Sequence, residues 1–427
     1  MRSRTLILIA ILACGSQVLA EDFDQPPINY STGRPDNIVT LLQKRMDAGE
    51  LELAFTDEHG YLPAVLKELK VPVSSQMLVF SKTSMQRDRI SPRTPRAVYF
   101  NDEVYLGFCR LGEVMEVAVP DAKLGTVFYT LNQEPAARPR FQRQTDHCLA
   151  CHVSRHQGIP ALVVRSVYPD RDGNPILSGG SFRTDHSSPL KERWGGWYVT
   201  GTHGRQTHLG NLILSKRSVP DDLTNDAGLN VTDLKTRTDP GAYLSPLSDL
   251  VALMVLEHQA EMHNRITAAN YQTQLAHRDA DVINELDNAL KGRLTESTAR
   301  RVDAAAEQLV KYLLFCDEVR LTDPITGTSD FTDDFPKAGP RDPKGRSLRD
   351  FDLATRLFKY PCSYLIYSPV FDGLPASVRG YVYRRLWEVL TGKETGKEYA
   401  HLSTADRQAI REILLDTKSG LPEYWKH

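Results

Sequence analysis

Between residues 218 and 245 the chain changes the period of its apolar residues, and that change limits the fold more than any other feature. Upstream lie short runs rich in β-branched and aromatic residues, at 76–80, 96–100, 103–108, 114–119 and 125–131. Asn-Asp, Leu-Gly and Pro-Asp pairs separate them, which reads as a meander of antiparallel strands. Residues 161–167 and 197–200 read as further strands, with Asp172-Gly173-Asn174-Pro175 as a turn between them. Before the strands, Asp36 precedes a short helical pattern with Ile38, Leu41 and Leu42 on one side. Downstream the period becomes helical. Asp249 caps a pattern running to about Ala276, and helices are expected near 280–291, 298–315, 376–391 and 404–416, the last opening on Ser403-Thr404-Ala405-Asp406. Val378, Val382, Leu386, Val389 and Leu390 keep one face of the 376–391 helix apolar. The expected class is α+β: a β-rich domain over 21–217, a polar linker over 218–245, and an α-helical domain over 246–427. Residues 317–350, rich in Asp, Pro, Gly and Thr, read as a long loop or excursion.

The strand-rich half holds Cys148-Leu149-Ala150-Cys151-His152. In 427 residues with 6 Cys and 12 His, composition alone produces Cys-x-x-Cys-His in about 0.2 % of random orders. The spacing has a chemical reason. Two thiols three positions apart can each add across one of the two vinyl groups of a haem. The histidine directly after them is then held beneath the ring, where its imidazole reaches the iron. Two other uses of the thiols compete. A thioredoxin-like dithiol wants a βαβ setting with the pair at a helix start, whereas the flank here is Gln142-Arg143-Gln144-Thr145-Asp146-His147. A zinc site needs more ligands, and Cys14, Cys109, Cys316 and Cys362 are isolated. Spacing leaves open whether Cys316 and Cys362 pair. Covalent haem is the reading that the pentapeptide favours.

In these five residues the chain resembles the exported c-type cytochromes. The resemblance implies one covalent haem c, with Cys148 and Cys151 as thioether cysteines and His152 as the proximal axial ligand of the iron. It extends over the motif only. Small cytochromes c carry the motif near the start of a helical fold and use a downstream methionine, whereas here it lies deep in a strand-rich half. The layout is closer to the large single-haem exported proteins. A leader agrees with export. Met1-Arg2-Ser3-Arg4, an apolar run over 5–13 and Val18-Leu19-Ala20 read as a secretory signal peptide over 1–20. A lipid anchor at Cys14 is the alternative. No other apolar run approaches a membrane span, so no transmembrane span is expected in the mature chain. The expected location is periplasmic or otherwise exported. A formal charge of −2, with acids and bases mixed along the chain, gives no basic stripe for nucleic acid.

The residues opposite His152 on the iron are less defined. Residues 182–211 gather His186, His203 and His208 with several glycines that admit close approach by a bulky planar group. Arg183, Arg193 and Arg205 there suit haem propionates, because a guanidinium fork matches a carboxylate. The buried helix after Asp249 offers His258, with Met254 and Met262 on the same stripe. His208, His203, His186 and His258 are therefore the candidate distal ligands, and His156, four residues beyond His152, is a poor one. Glu257 and Glu261 need partners in so apolar a helix, and an ion-pair or hydrogen-bond network, with Arg265 as a candidate member, is expected. The di-iron pattern Glu-x-x-His is absent, because Ala260 and Asn264 occupy its positions and His263 is out of phase.

The expected function is electron transfer by a single-haem cytochrome to a redox partner protein. A haem enzyme, peroxidase-like with an open sixth position and a small oxidant as substrate, is the first alternative. A haem-based sensor or binding protein is the second.

Overall fold

The computed structural model describes residues 22–154, 157–286 and 295–427. The expected leader with Cys14, His156 and the end of the expected 280–291 helix lie outside the described residues. The class is α+β, with a strand-rich first half and a helical second half.

Two short helices come first, α1 (Ile38–Asp47) and α2 (Leu62–Glu68). α1 starts where Asn37 and Thr40 cap each other reciprocally, satisfying backbone donors that the first turn leaves free. The expected meander follows as a six-stranded antiparallel sheet in sequential order: β1 (Met77–Val79), β2 (Arg96–Phe100), β3 (Tyr105–Phe108), β4 (Val114–Asp121), β5 (Gly125–Asn132) and β6 (Phe141–Gln144). Alternation decides its faces. On β4, Met115, Val117 and Val119 are buried on the side of α1 and α2, while Glu116 and Ala118 turn to the other side and stay half-buried. Met77, Val98, Phe100 and Tyr105 continue that second face into the core of the helical half.

A single turn, α3 (Leu149–His152), leads into the two-residue strands β7 (Val153–Ser154) and β8 (Ile159–Pro160), which pair with each other. β9 (Arg165–Val167) pairs with β10 (Ser181–Arg183). β11 (Gly201–Thr202) pairs with β12 (Thr326–Gly327), so the expected 317–350 excursion returns to the first half before α6 (Phe331–Lys337). Residues 218–245, expected as a linker, are irregular but fastened along their length. Asn225 donates to the carbonyls of His208 and Gly210, Thr238 to that of Arg93, and Tyr243 to that of Pro95.

α4 (Leu250–Leu286) is the spine of the molecule. Its 37 residues span about 55 Å at 1.5 Å per residue. It packs mainly on α5 (Glu296–Leu313) and also meets the turns of the sheet: Gln259 donates to the carbonyl of Asn101, Asn270 to that of Ala122, and Tyr271 to that of Leu124. The remaining elements are α7 (Pro369–Asp372), α8 (Ala376–Leu390) and α9 (Thr404–Thr417), the last capped by the expected Ser403–Asp406 box. No helix among the described residues is long and apolar enough to cross a membrane.

Asp249 starts the spine. Its fully buried carboxylate accepts from the backbone of Val251 and Ala252, as a cap does, and from Thr328 and Ser329 on the returning excursion. Removing it leaves buried donors unmet on two segments at once. Asp249→Ala should cost about 3 kcal/mol by denaturant unfolding. A loss within the range of an exposed cap, about 1 kcal/mol, would mean that the excursion adds nothing.

Candidate functional site

Cys148 begins α3, and its carbonyl accepts from the amides of Cys151 at 3.2 Å and His152 at 3.0 Å. One tight turn thus carries both thiols and the imidazole. Cys148 is half-buried and Cys151 exposed, and both are free thiols. Burial pushes the Cys148 thiol up to about 11. A reactive dithiol requires the opposite shift, toward thiolate.

β7 and β8 fold the chain back on this turn and lock the imidazole. The amide of Ala161 donates to the carbonyl of His152 at 2.6 Å, and His152 Nδ1 lies 2.8 Å from the carbonyl oxygen of Ala161. A carbonyl only accepts, so Nδ1 carries the hydrogen and Nε2 the lone pair. Metal-binding histidines are held in this way, with the second ring nitrogen donating to a backbone carbonyl. Burial lowers the pKa of His152, which keeps the ring neutral, the form that binds a metal. Its ring packs on Phe128 of β5, centroids 4.7 Å apart.

Arg96, Glu116 and Arg165 are the charges that His152 feels. Arg96 pairs with Glu116 at 2.6 Å across the half-open face of the sheet. It lies flat over Gly107, where an added Cβ would stand 2.2 Å from the guanidinium, and its buried Nε has no hydrogen-bond partner among the described residues. Of the three arginines expected near a haem, Arg183 alone contacts the motif region, 3.5 Å from Ser154 Oγ. Arg193 pairs with the buried Glu257, and Arg205 lies exposed near Asp323. Two clefts, of about 520 and 360 Å³, lie elsewhere, one against Leu53, Phe55 and Tyr61 and the other against Asp170 and Arg217.

The four candidate distal histidines fall into two buried clusters. His186 and His258 face each other at 2.8 Å between their Nδ1 atoms, stacked among Tyr312 and Phe315, and His258 Nε2 meets Ser363 Oγ. His203 and His208 pack edge to face at 4.7 Å beside Trp194, and the amides of Asn230 and Gly210 donate to their ring nitrogens. Among the described residues none of the four has a ring contact or hydrogen bond with His152. Met254 and Met262 are buried in the apolar core. The expected carboxylate network divides in two: Glu257 pairs with Arg193, and Glu261 with Arg265 at 2.6 Å. Cys316 and Cys362 are both buried and unpaired.

Three residues near the motif were not singled out in the sequence: Arg96, Phe128 and His263. For the first two no signal exists, because strand register alone brings them to His152. For His263 a signal does exist. Gln259, His263 and Thr267 form a buried polar stripe at four-residue spacing on α4.

Among the described residues no group of three or more His, Cys, Asp and Glu stands together to hold a bare metal ion. A zinc ion bound by protein alone needs such a group. A haem iron does not, because the macrocycle supplies four nitrogens and the chain one or two axial ligands. No protein-family model, no curated protein and no solved structure matches this chain.

Proposed function

We propose that the protein is an exported single-haem c-type cytochrome that transfers electrons. The observation that carries the reading is the turn 148–152, where two free thiols directly precede an imidazole whose Nδ1 is tied to the Ala161 carbonyl. Cys-x-x-Cys-His is the attachment pattern of c-type haem, and a histidine pre-set as a neutral Nε2 ligand fits that use. The surroundings fit the group. Ala118 leaves the sheet face half-open, Phe128 supports the imidazole, and Arg96, with an unpartnered Nε, and Arg183 offer positive charge for carboxylates.

When bound, the haem supplies a one-electron couple whose potential follows its axial ligands, burial and nearby charge. The chain's part is to hold it. Cys148 and Cys151 would hold it covalently, and His152 would offer its Nε2 lone pair to the iron without needing to lose a proton. Exposed Cys151 keeps the attached edge near the surface, where a partner can approach. A peroxidase-like site needs histidine and arginine free to move protons on the far face. His258 is instead engaged by His186 and Ser363, His208 by the Gly210 amide, and Arg193 by Glu257.

The test is expression with export and the haem-attachment machinery. Intact mass should exceed the polypeptide by one haem that resists acid–acetone extraction, and Cys148→Ala or Cys151→Ala should sharply reduce the covalent fraction. Haem-free protein carrying stoichiometric zinc would overturn the reading.

A further inference from the structure

His263 lies one residue from the part of α4 that is fastened to the motif. Asn264 holds Leu162 by both backbone groups, accepting from its amide and donating to its carbonyl, each at 2.8 Å. Leu162 directly follows Ala161, whose carbonyl anchors His152. The two histidines are therefore linked through a short, doubly bonded path.

The sheet places them a second time. Tyr105 of β3, Ala118 of β4 and Phe128 of β5 are directly opposed cross-strand partners, so they share one face. The His152 ring rests on Phe128, and His263 Nδ1 meets the hydroxyl of Tyr105 at 2.8 Å. Two strand spacings separate the supports by about 10 Å, with only the small, half-buried Ala118 between them. With metal–nitrogen bonds of about 2 Å, two imidazoles on one metal hold their ring centres roughly 6 Å apart. Both imidazoles are thus supported from the same face of the sheet, on strands two apart.

The hydroxyl at His263, unlike the carbonyl at His152, can donate or accept, so Tyr105 serves either tautomer of the second ring. Tyr364 donates to Gln259 Oε1, which turns Gln259 Nε2 toward Asn101 and the Tyr105 hydroxyl. The Tyr105 oxygen has lone pairs for both Gln259 Nε2 and His263 Nδ1. In the tautomer whose Nδ1–H donates to that oxygen, His263 Nε2 keeps its lone pair, and among the described residues this fully buried atom has no hydrogen-bond partner. Buried polar atoms are nearly always satisfied, so an orphan at this position asks for one.

We propose that His263 is the second axial ligand of the iron, opposite His152, with Tyr105 and Gln259 as its positioning residues. The assignment rests on the haem proposed above for Cys148 and Cys151. Covalent haem content is therefore measured separately, by mass and by haemochrome spectrum, for every sample. The wild-type ferric protein should be low-spin, with the near-infrared magnetic circular dichroism of two imidazoles and no binding of carbon monoxide by the ferrous form. His263→Ala should retain covalent haem, become high-spin, bind carbon monoxide, and return to low-spin on addition of imidazole. A wild-type protein that carries haem but shows a methionine signature or an open site overturns the assignment and leaves the haem reading standing. So does a His263→Ala protein that stays low-spin. If His263→Ala does not fold, the wild-type near-infrared signature and carbon monoxide response decide alone. Absence of covalent haem from wild-type protein overturns both.

Discussion

Below about pH 4.5 this protein loses stability steeply, while between pH 7 and 4.5 the change is small. Burial pushes His186 and His208 down to about 3 from an ordinary 6.5, and holds His258 well below 6.5. In the folded state they stay neutral down to that value, whereas the unfolded chain takes up protons from about 6.5. The unfolded state then binds more protons, so stability falls as pH drops from 6.5 to about 3. Burial also pushes Glu257 and Glu318 up to about 7 from 4.5. These bind protons first in the folded state, so their contribution rises as pH falls from 7 to 4.5 and offsets the histidines there. Below 4.5 they are protonated in both states and the offset stops growing. Paired carboxylates such as Glu412, held down to about 2 by Lys344, Gln408 and Arg346, then add to the loss. The expected cost by pH 3.5 is on the order of several kcal/mol. Thermal midpoints from circular dichroism, taken across this range at fixed ionic strength, check it. A midpoint that holds steady from pH 4.5 to 3.5 contradicts the argument.

Arg193→Ala should cost about 3–5 kcal/mol. The guanidinium is buried and uses all three nitrogens, donating to the carbonyls of Ser188 and His186 and to the Glu257 carboxylate at 3.2 Å. Truncation leaves Glu257, buried in the apolar first turns of α4, without its cation and frees the loop that places His186. Replacing both partners by hydrophobic residues of similar size, Arg193→Met with Glu257→Leu, should recover much of the loss, because the desolvation cost of both charges disappears together. Denaturant unfolding of both singles and the double gives the coupling energy. A single variant within about 1 kcal/mol of wild type would show that the pair is solvated and that its burial is misjudged.

The division into halves, the meander and the caps at Asp249 and Ser403 follow from local rules, and those rules act within a few residues. What escaped the sequence is what depends on distant partners. α4 continues past Ala276 to Leu286 through a polar stretch where Asp279 pairs with Arg278 and with Arg301 of α5. Residues 218–245 have a loop's composition, but Asn225, Thr238 and Tyr243 spend their side chains on remote carbonyls. The turn 148–152 was visible because its chemistry is contiguous. The histidines were not separable by type. A glycine-rich setting reads the same whether a ring nitrogen is free or, as in His203 and His208, already bonded to a backbone amide. His263 was measured against a di-iron spacing, and Tyr105, the residue that gives it meaning, is 158 positions away.

The 37-residue spine has a consequence for the order in which the chain can fold. The sheet is complete in sequence by residue 144, yet the carbonyls of Asn101, Ala122 and Leu124 wait for Gln259, Asn270 and Tyr271. A chain emerging amino-terminus first, from a ribosome or a translocation channel, therefore presents an unfinished sheet while more than a hundred further residues follow. Contacts this far apart in sequence slow the search for the native state. Until they form, the pentapeptide belongs to a loosely held chain, because Leu162, next to the Ala161 that anchors His152, is fastened by Asn264 of that helix.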